Sequence, residues 1–299
     1  MKRKIAILGA TSHIAKGLLL NFLQSNRNEL FLFARLPNKV KNFLEANGFG
    51  LHRYIYNFKS FQKEKYDVVI NCVGLGTPVK VKEANGGVFR LTEEFDNMVL
   101  EYLSLYPKTL YINFSSGAVY YVSVNDVKTE HYYGIAKLYQ ETKHRALKQL
   151  NIVDLRVFSY FSRFIDLDSG YFLTELIKSL KNNKVFVTDS CDFVRDFISP
   201  QDLFNLICLV IKAKHFNATI DAYSSMPISK FKLLDYFVRN YSLNYIIKRG
   251  LKLACPTGVK SRYCSSSRKA AVLLGYQPKF SSLDTVAAEA SYILGAANE

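Results

Sequence analysis

The sequence has 299 residues, 49% of them hydrophobic, and carries a formal net charge of +15. A chain of this length and hydrophobic content can bury a sizeable core, which excludes a disordered protein. No apolar run reaches the roughly 20 residues that span a bilayer, and residues 1–4 lead into a short strand-like run instead of a signal peptide. We therefore expect a cytoplasmic protein without a membrane span.

Cysteine, histidine and charge patterns limit the classes of partner. The five cysteines lack C-x-x-C spacing and are odd in number, which disfavours a disulfide framework, and the histidines show no ligand spacing, so we expect no metal. The charge excess is local: residues 1–65 hold 12 basic and 3 acidic side chains, and residues 226–269 hold 10 and 1. A solvated basic surface and a functional basic cleft both fit this pattern, whereas no nucleic-acid-binding motif accompanies it.

Strand and helix patterns alternate through the first half of the chain. The predicted strands are Lys4–Leu8, Leu30–Ala34, His52–Asn57, Val68–Val73, Leu110–Phe114 and Val153–Phe158. The predicted helices are Lys16–Ser25, Thr92–Leu105 and Tyr133–Leu150, the last with charged residues opposite its apolar face. This order predicts an α/β protein with a Rossmann-type, doubly wound parallel sheet in residues 1–158. The looser pattern beyond Ser159 predicts a smaller C-terminal substrate-binding lobe in residues 159–299, from which some elements return to the sheet.

The first predicted turn, in the stretch ILGATSHIAKG (7–17), resembles a dinucleotide-binding loop that has lost some of its glycines. Gly9 can take a backbone conformation that other residues avoid, and Ala15 is small enough for a helix to pack on the sheet. The Ser12 hydroxyl is a candidate donor to a phosphate oxygen, and the helix N-terminus offers unpaired amides to an anion. A plain tight turn between strand and helix is the alternative.

The end of the second predicted strand bears on which cofactor binds. Folds selective for NAD place an acidic residue there to bind the ribose hydroxyls, whereas an arginine accommodates the 2′-phosphate of NADP. Arg35 stands at this position with Lys39 nearby, so we expect NADP(H), although a surface arginine remains the alternative. The predicted cofactor-binding residues are Gly9, Thr11, Ser12, His13, Ile14, Arg35, Lys39, Asn57, Cys72, Val73, Gly74, Tyr133 and Lys137.

Two later stretches contain a candidate catalytic set. In YGIAK, Tyr133 and Lys137 are four residues apart and share one face of a helix, where the lysine ammonium can stabilise a tyrosine phenolate. The preceding strand ends in NFSSGAVYY, which puts the Ser116 hydroxyl at the carboxyl end of the sheet, where it can polarise a carbonyl. The two stretches together are much more specific than either alone.

In this order of motifs the chain resembles the extended short-chain dehydrogenase/reductase family, in particular its nucleotide-sugar epimerases, dehydratases and reductases. LRVFSYFSR (155–163), VRDFISPQD (194–202) and KAAVLLGYQP (269–278) extend the resemblance over the whole chain. The resemblance implies that Ser116, Tyr133 and Lys137 are catalytic and that Arg195 contacts a diphosphate. Ser159 departs from the family, which usually has an asparagine there. The predicted substrate-binding residues are Ser116, Ser159, Arg163, Arg195 and Arg262.

The residues after the serine narrow the chemistry that the resemblance implies. Dehydratases of this group carry an Asp-Glu pair where this chain has Gly117 and Ala118, so redox chemistry at one sugar carbon is expected. Our hypothesis is NADPH-dependent reduction of a 4-keto, 6-deoxy nucleotide sugar for surface polysaccharide synthesis. The alternatives are a nucleotide-sugar 4-epimerase with bound NAD and a non-catalytic NADP-binding sensor. The resemblance also implies a homodimer formed through helices at 92–105 and 133–148.

Overall fold

The computed structural model describes residues 2–50, 54–75, 78–84, 86–123, 125–214, 217–248 and 260–295. The strands are β1 (Arg3–Leu8), β2 (Asn28–Phe33), β3 (Ile55–Tyr56), β4 (Val68–Asn71), β5 (Leu110–Ser116), β6 (Ile152–Val157), β7 (Ser159–Tyr160), β8 (Phe186–Thr188), β9 (Val194–Arg195), β10 (Phe197–Ile198), β11 (Ala218–Ala222), β12 (Ile228–Ser229), β13 (Tyr245–Ile247) and β14 (Arg262–Tyr263). The helices are α1 (His13–Ser25), α2 (Pro37–Ala46), α3 (Pro78–Ala84), α4 (Gly87–Leu105), α5 (Tyr132–Ala146), α6 (Phe172–Lys181), α7 (Pro200–Lys212), α8 (Lys230–Tyr241), α9 (Lys269–Leu274) and α10 (Ser282–Leu294).

Seven strands form the central sheet in the order β11-β6-β5-β4-β1-β2-β3, and every neighbouring pair is parallel. The switch in strand order lies between β1 and β4, where ligands of such sheets bind outside the carboxyl ends. The predicted doubly wound parallel sheet is therefore confirmed. The edge strand β11 comes from the second half of the chain, so this half returns to the sheet.

Apolar side chains cover both faces of the sheet, as expected for parallel strands buried between helices. In β1, Ile5 and Ile7 belong to the core beneath α1 and α7, whereas Ala6 and Leu8 belong to the core on the other face. Because successive side chains of a strand point to opposite faces, an unbroken apolar run was the correct signal for a buried strand.

A third core holds together α6, α8 and α10 in the second half of the chain. Leu176, Leu233, Phe237 and Val286 are completely buried in this core. Short strand pairs accompany it: β10 with β7, β13 with β8, and β9 between β12 and β14. The pairing of β14 with β9 brings Tyr263 beside Arg195, two residues far apart in the chain.

The element boundaries differ from the sequence-based expectations by one to three residues in most elements and by more in α4 and α5. The third strand is only Ile55–Tyr56, and positions 52 and 53 of the expected strand lie outside the described residues. Helix α4 begins at Gly87, five residues before the expected start, and α5 ends at Ala146. None of the helices in the described ranges is both long and apolar enough to span a membrane.

Candidate active site

The residues that follow β1, β2, β4 and β5 meet at the carboxyl edge of the sheet, because these strands are parallel neighbours. Gly9 follows β1 directly, and Cys72 follows β4 directly. Arg35 lies two residues after β2, and Ser116 is the last residue of β5. Most of the residues predicted from the sequence to bind the cofactor are therefore arranged along one edge.

The turn after β1 requires glycine at position 9. Gly9 has φ +73°, and a Cβ atom there would lie 3.0 Å from the carbonyl carbon and oxygen of Cys72 and from the Val73 nitrogen. The Gly9 and Ala10 amides both donate to the Phe33 carbonyl oxygen, at 2.9 and 3.0 Å. The turn is thus pressed against the end of β4, and its close backbone approach leaves the edge open to a flat ligand.

Helix α1 begins directly after this turn with a capped N-terminus. Ser12 is the N-cap, and its Oγ accepts from the Ala15 amide at 3.3 Å. The Ser12 hydroxyl also interacts with the Cys72 thiol, so it links the N-terminus of α1 to the end of β4. Thr11 and Ile14 flank it and are half-buried. The remaining unpaired amides of the first turn form the kind of site that binds phosphate groups.

His13 connects the turn to the second half of the chain, a role that its sequence position did not indicate. Its Nε2 lies 2.7 Å from Ser162 Oγ, and its ring packs edge-on against Tyr160 at 4.8 Å. Burial lowers the pKa of His13 to about 4, so the imidazole is neutral at physiological pH. The residue therefore fixes the turn through a neutral hydrogen bond and supplies no charge for a phosphate.

Basic side chains gather at the edge of the sheet beyond β2. Arg35 and Lys39 are exposed there, and Asn57 is exposed after β3. Lys16 of α1 joins them: burial lowers its pKa, the Asp166 carboxylate raises it, and the nearby charge of Lys39 lowers it again. Lys16 was not among the predicted site residues, because its position on α1 shows its proximity to Lys39 only once the helices are placed.

The segment after β4 forms a wall beside the Gly9 turn. Exposure increases along this wall: Cys72 is buried, Val73 is half-buried and Gly74 is exposed. Its solvent-exposed end therefore has no side chain. Burial raises the pKa of the Cys72 thiol, which keeps it protonated and unreactive. The wall is anchored from below, because the Val73 amide donates to Asn71 Oδ1 at 3.0 Å.

Ser116 and Tyr133 meet where β5 gives way to a 3-10 helix at Gly117–Tyr121. Ser116 Oγ caps this helix by accepting from the Ala118 amide at 3.2 Å. Burial raises the pKa of the Tyr133 phenol, and its interaction with Ser116 lowers it in part. The predicted pair is thus brought together, with a protonated phenol beside a serine hydroxyl.

Lys137 lies beneath this pair, one helical turn from Tyr133. Its Nζ donates to the Phe114 carbonyl oxygen at 2.9 Å and to Gln140 Oε1 at 3.1 Å. Burial lowers the pKa of the lysine, whereas the carboxylates of Asp96, Asp154 and Glu141 raise it. The ammonium is therefore held by neutral oxygens and stabilised from a distance by buried acids.

The sheet-facing side of α5 is polar, and the expectation that its charged residues face away from the core is wrong. Glu141 accepts from Ser115 and Arg156, and His144 lies between two carboxylates. His144 Nδ1 is 2.9 Å from Asp154 Oδ1, and its Nε2 is 2.8 Å from Asp96 Oδ1. An apolar interface needs no partners for its side chains, but the buried charges of Glu141 and His144 need opposite charges beside them, which single-residue patterns do not reveal.

The predicted substrate-binding residues lie in different surroundings. Ser159, half-buried in β7, and Arg195 and Arg262 of the paired strands β9 and β14 lie near the carboxyl edge. Arg163 instead makes two hydrogen bonds to Glu289, at 3.0 and 2.8 Å, and its guanidinium stacks on Tyr292. This bidentate ion pair joins Arg163 to α10, so its geometry favours a structural contact over a diphosphate contact.

Sequence reasoning missed Tyr263. Its hydroxyl is 2.9 Å from Ser116 Oγ, across 147 residues of chain. The signal that could have found it is the position of a tyrosine shortly before the KAAVLLGYQP stretch, but no spacing rule links that position to a serine on β5. Within the described parts of the chain, no cluster of His, Cys, Asp and Glu is arranged to hold a metal ion.

Comparisons with known proteins agree with this geometry. Over nearly its full length the chain is similar to UDP-glucuronic acid 4-epimerase of Bacillus cereus, with 19% identity, 97% of this chain and 98% of that chain covered, and a TM-score of 0.78; that structure contains NAD. The chain is also similar to UDP-glucose 4-epimerase of Thermotoga maritima, with 14% identity, 97% of this chain and 98% of that chain covered, and a TM-score of 0.77. A third similar structure is dTDP-glucose 4,6-dehydratase of Bacillus anthracis in complex with NAD, with 12% identity, 97% of this chain and 96% of that chain covered, and a TM-score of 0.76. At these identities the likeness shows the fold.

A search of curated protein sequences gives no match. The sequence model of one family matches residues 5–224, which is more than half of the chain and includes the Gly9 turn, Ser116, Tyr133 and Lys137. The chain belongs to the NAD dependent epimerase/dehydratase family.

Proposed function

We propose that this protein is a nucleotide-sugar 4-epimerase that works with a bound nicotinamide cofactor. The observation that carries the proposal is that Tyr133 interacts with Ser116 at the carboxyl edge of the sheet, while Lys137, one turn along the same helix, donates to the Phe114 carbonyl of the strand that ends in Ser116. Several of the solved structures with this fold are 4-epimerases. This support ranks the epimerase above the reductase, although the sequence alone favoured the reductase.

The residues at the edge fit a nicotinamide dinucleotide. A Cβ at Gly9 would fill the narrow approach to Cys72 and Val73, so this glycine keeps open the cradle that a pyrophosphate needs. The N-terminus of α1, capped by Ser12, would hold the pyrophosphate, and Lys137 would hold the nicotinamide ribose. When bound, such a cofactor accepts and returns a hydride.

The side chains around the serine then divide the proton chemistry. In its phenolate form, Tyr133 takes the proton of the sugar 4-hydroxyl as that carbon is oxidised; as the neutral phenol it returns the proton to the same oxygen when the carbon is reduced. Ser116 donates a hydrogen bond to this oxygen in both steps. Burial lowers the pKa of Lys137, and three buried carboxylates oppose this shift. The Lys137 ammonium stabilises the phenolate form of Tyr133, which is present before the sugar carbon is oxidised and again after it is reduced.

A dehydratase would need acidic side chains directly after the serine, and the fold resists one of them. A Cβ at Gly117 would lie 2.3 Å from the Phe158 ring, so a carboxylate cannot be added there without displacing that ring. The next residue, Ala118, has no proton to exchange. The site therefore suits redox chemistry at one carbon and lacks the additional acid and base that elimination requires.

The second candidate function is NADPH-dependent reduction of a 4-keto nucleotide sugar. It is favoured by Arg35, Lys39 and Lys16, three basic side chains at the edge where a 2′-phosphate would lie. In this reaction Tyr133 donates its proton to the oxygen of the reduced carbon and is reprotonated from solvent. The product would serve the synthesis of a surface polysaccharide.

One experiment separates these functions. Protein purified without added cofactor is incubated with UDP-glucose, UDP-glucuronic acid and other nucleotide sugars, and inversion at C4 is followed by proton NMR. Parallel samples receive NADPH and a 4-keto-6-deoxy nucleotide sugar, and loss of NADPH absorbance is followed. Inversion without added cofactor supports the epimerase, and NADPH consumption supports the reductase. Tight cofactor binding with neither activity would favour the non-catalytic sensor and contradict both enzymes.

Tyr133→Phe tests the assignment of the acid and base. The variant should lose at least a hundredfold in kcat with unchanged cofactor binding, because positioned proton transfer contributes about 10²–10⁴-fold. The matched control is Tyr132→Phe, on the same turn of α5, where the ring contacts Phe89. Full activity in the Tyr133 variant would exclude this residue as the acid and base.

The preference for NADPH over NADH is tested with charge-reversing substitutions of the arginines that flank β2. Arg35→Asp should weaken binding of NADPH by at least tenfold relative to NADH, because it removes a phosphate partner and adds a like charge. Arg27→Asp, at the other end of the same strand, makes the same charge change away from the site. Equal effects of the two variants on NADPH would remove the argument for a 2′-phosphate site.

We also propose that the protein is a cytoplasmic homodimer formed through α4 and α5. A groove of about 310 Å³ lies between these helices on the side away from the sheet. Phe89 and Tyr139 line it with 37% and 53% of their surface exposed. Tyr139→Glu should convert a dimer to a monomer in light scattering, and a monomeric wild-type protein would contradict the proposal.

A further inference from the structure

The segment at residues 260–267, named here the strap, lies against the catalytic edge of the sheet and carries Tyr263. The Tyr263 hydroxyl is 2.9 Å from Ser116 Oγ. The ring of Tyr263 packs edge-on against Phe158 at 5.3 Å and beside Tyr121 at 5.7 Å. The phenol is therefore fixed by aromatic neighbours as well as by the serine.

The strap is tied down along its length. Its polar contacts involve three elements of the fold: β9, the 3-10 helix at Gly117–Tyr121, and β11. Val194 donates its amide to the Ser261 carbonyl at 2.7 Å, and Arg195 donates to the Lys260 carbonyl at 2.9 Å. Tyr121 donates to the Arg262 carbonyl, and Ser265 donates to Asp221 at 2.7 Å. These contacts lie on both sides of Tyr263 and therefore fix the backbone of the strap. The Tyr263 hydroxyl consequently has a fixed position next to the serine.

The hydrogen bonds at Ser116 determine where its proton can go. A serine hydroxyl has one proton to donate and two lone pairs that accept. The Ala118 amide donates to Ser116 Oγ and uses one lone pair. Burial raises the pKa of Tyr263, so this phenol keeps its proton and can donate to the other. With both lone pairs occupied, the Ser116 proton is left to point at a third group, which is Tyr133 in this structure and the sugar oxygen when a substrate lies between the two side chains.

We propose that Tyr263 is a positioning residue that acts through Ser116: by donating to the serine oxygen, it directs the serine proton toward the reacting sugar oxygen. This inference rests on the proposed function. A hydroxyl that accepts two hydrogen bonds is also a better donor, because neighbouring hydrogen bonds polarise one another. Tyr263 therefore strengthens and orients the Ser116 contact without itself exchanging a proton with the sugar.

A kinetic double-mutant cycle tests this role. Tyr263→Phe should lower kcat about tenfold with KM changed less than twofold, because one hydrogen bond that orients a catalytic donor is lost. In a Ser116→Ala background the same substitution should have no further effect, since the serine through which it acts is absent. Tyr121→Phe, which removes one tether of the strap but leaves the Tyr263 hydroxyl, should stay within twofold of wild type.

Two results would overturn the proposal. Wild-type kcat in Tyr263→Phe would show that the phenol does not orient the serine, and a full tenfold loss in the Ser116→Ala background would show that it acts elsewhere. A readout that needs no turnover is the Ser116 side chain in crystals. It should adopt one rotamer in the wild type and several in Tyr263→Phe, and one rotamer in both would contradict the role. Absence of turnover on any nucleotide sugar would contradict the proposed function instead, while the rotamers still decide the role of Tyr263.

Discussion

Replacing Gly17 by alanine should destabilise the protein, although alanine is the better helix former. Gly17 lies in the interior of α1, and a Cβ there would lie 2.1 Å from the Tyr160 hydroxyl oxygen. Overpacking of a buried contact costs about 1–3 kcal/mol, and the gain from Gly to Ala inside a helix is about 1 kcal/mol. We therefore expect Gly17→Ala to lower the free energy of unfolding by up to about 2 kcal/mol.

In a Tyr160→Phe background, Gly17→Ala should raise the free energy of unfolding instead of lowering it. The Tyr160 hydroxyl is buried and makes no hydrogen bond to the residues that the structure describes, so its removal should stabilise the protein by about 1 kcal/mol or more. Without that oxygen, the atoms nearest to an alanine Cβ at position 17 are the ring Cζ and Pro200 Cβ, both at 3.5 Å. In the Tyr160→Phe background, Gly17→Ala should then stabilise by about 0.5–1 kcal/mol.

Urea unfolding followed by far-UV circular dichroism measures all four proteins of this cycle. A coupling of about 2 kcal/mol between the two positions is expected, because the substitutions share one contact. Cofactor affinity is the second readout, since the same helix offers its N-terminus to the pyrophosphate. If Gly17→Ala destabilised equally in both backgrounds, the close approach of α1 to Tyr160 would not be the cause.

Two further predictions concern the turn and the buried histidine. Gly9→Ala should lose about 2–5 kcal/mol of stability, the sum of a backbone cost of about 1–2 kcal/mol and an overpacking cost of about 1–3 kcal/mol, and most cofactor binding. Gly48→Ala, with a similar φ of +78° but nothing within 4 Å of the added Cβ, should lose only the backbone cost; equal losses would refute the contact with β4. Although burial lowers it, the carboxylates of Asp154 and Asp96 raise the pKa of His144 to about 9. A folded-state pKa above the ordinary 6.5 adds stability that is complete below about pH 6.5 and is lost as the pH rises through about 9, a change of about 3 kcal/mol; urea titrations should show this fall in the wild type, and an equal fall in His144→Gln would contradict it.

The sequence was informative where function depends on local order along the chain. The parallel sheet followed from buried apolar runs alternating with helices, and the Gly9 turn followed from a glycine directly after the first strand. The grouping of Ser116, Tyr133 and Lys137 could be anticipated because parallel strands end at one edge and residues four apart share a helix face.

Contacts between distant segments could not be anticipated in this way. Tyr263 reaches Ser116, and Glu289 captures Arg163, only after the second half of the chain folds back onto the sheet. Periodicity also misassigned the buried side of α5, because it treats every charged residue as solvent-facing. His144 is completely buried, and it is stable there only because acidic residues from α4 and β6 surround it.

The polar contact between α5 and the sheet has a consequence for how the catalytic helix can move. A helix that packs only through apolar side chains can rotate about its axis at little energetic cost, because dispersion forces have no direction. Lys137 donates to the Phe114 carbonyl, Glu141 accepts from Ser115, and His144 bonds to Asp154. Because these hydrogen bonds are directional, they fix the rotation of α5 about its own axis. Replacing His144 together with its partners Asp96 and Asp154 by apolar residues would remove the buried charges as a group and, with them, the directional contacts, so the Tyr133 phenol could shift while the packing is kept.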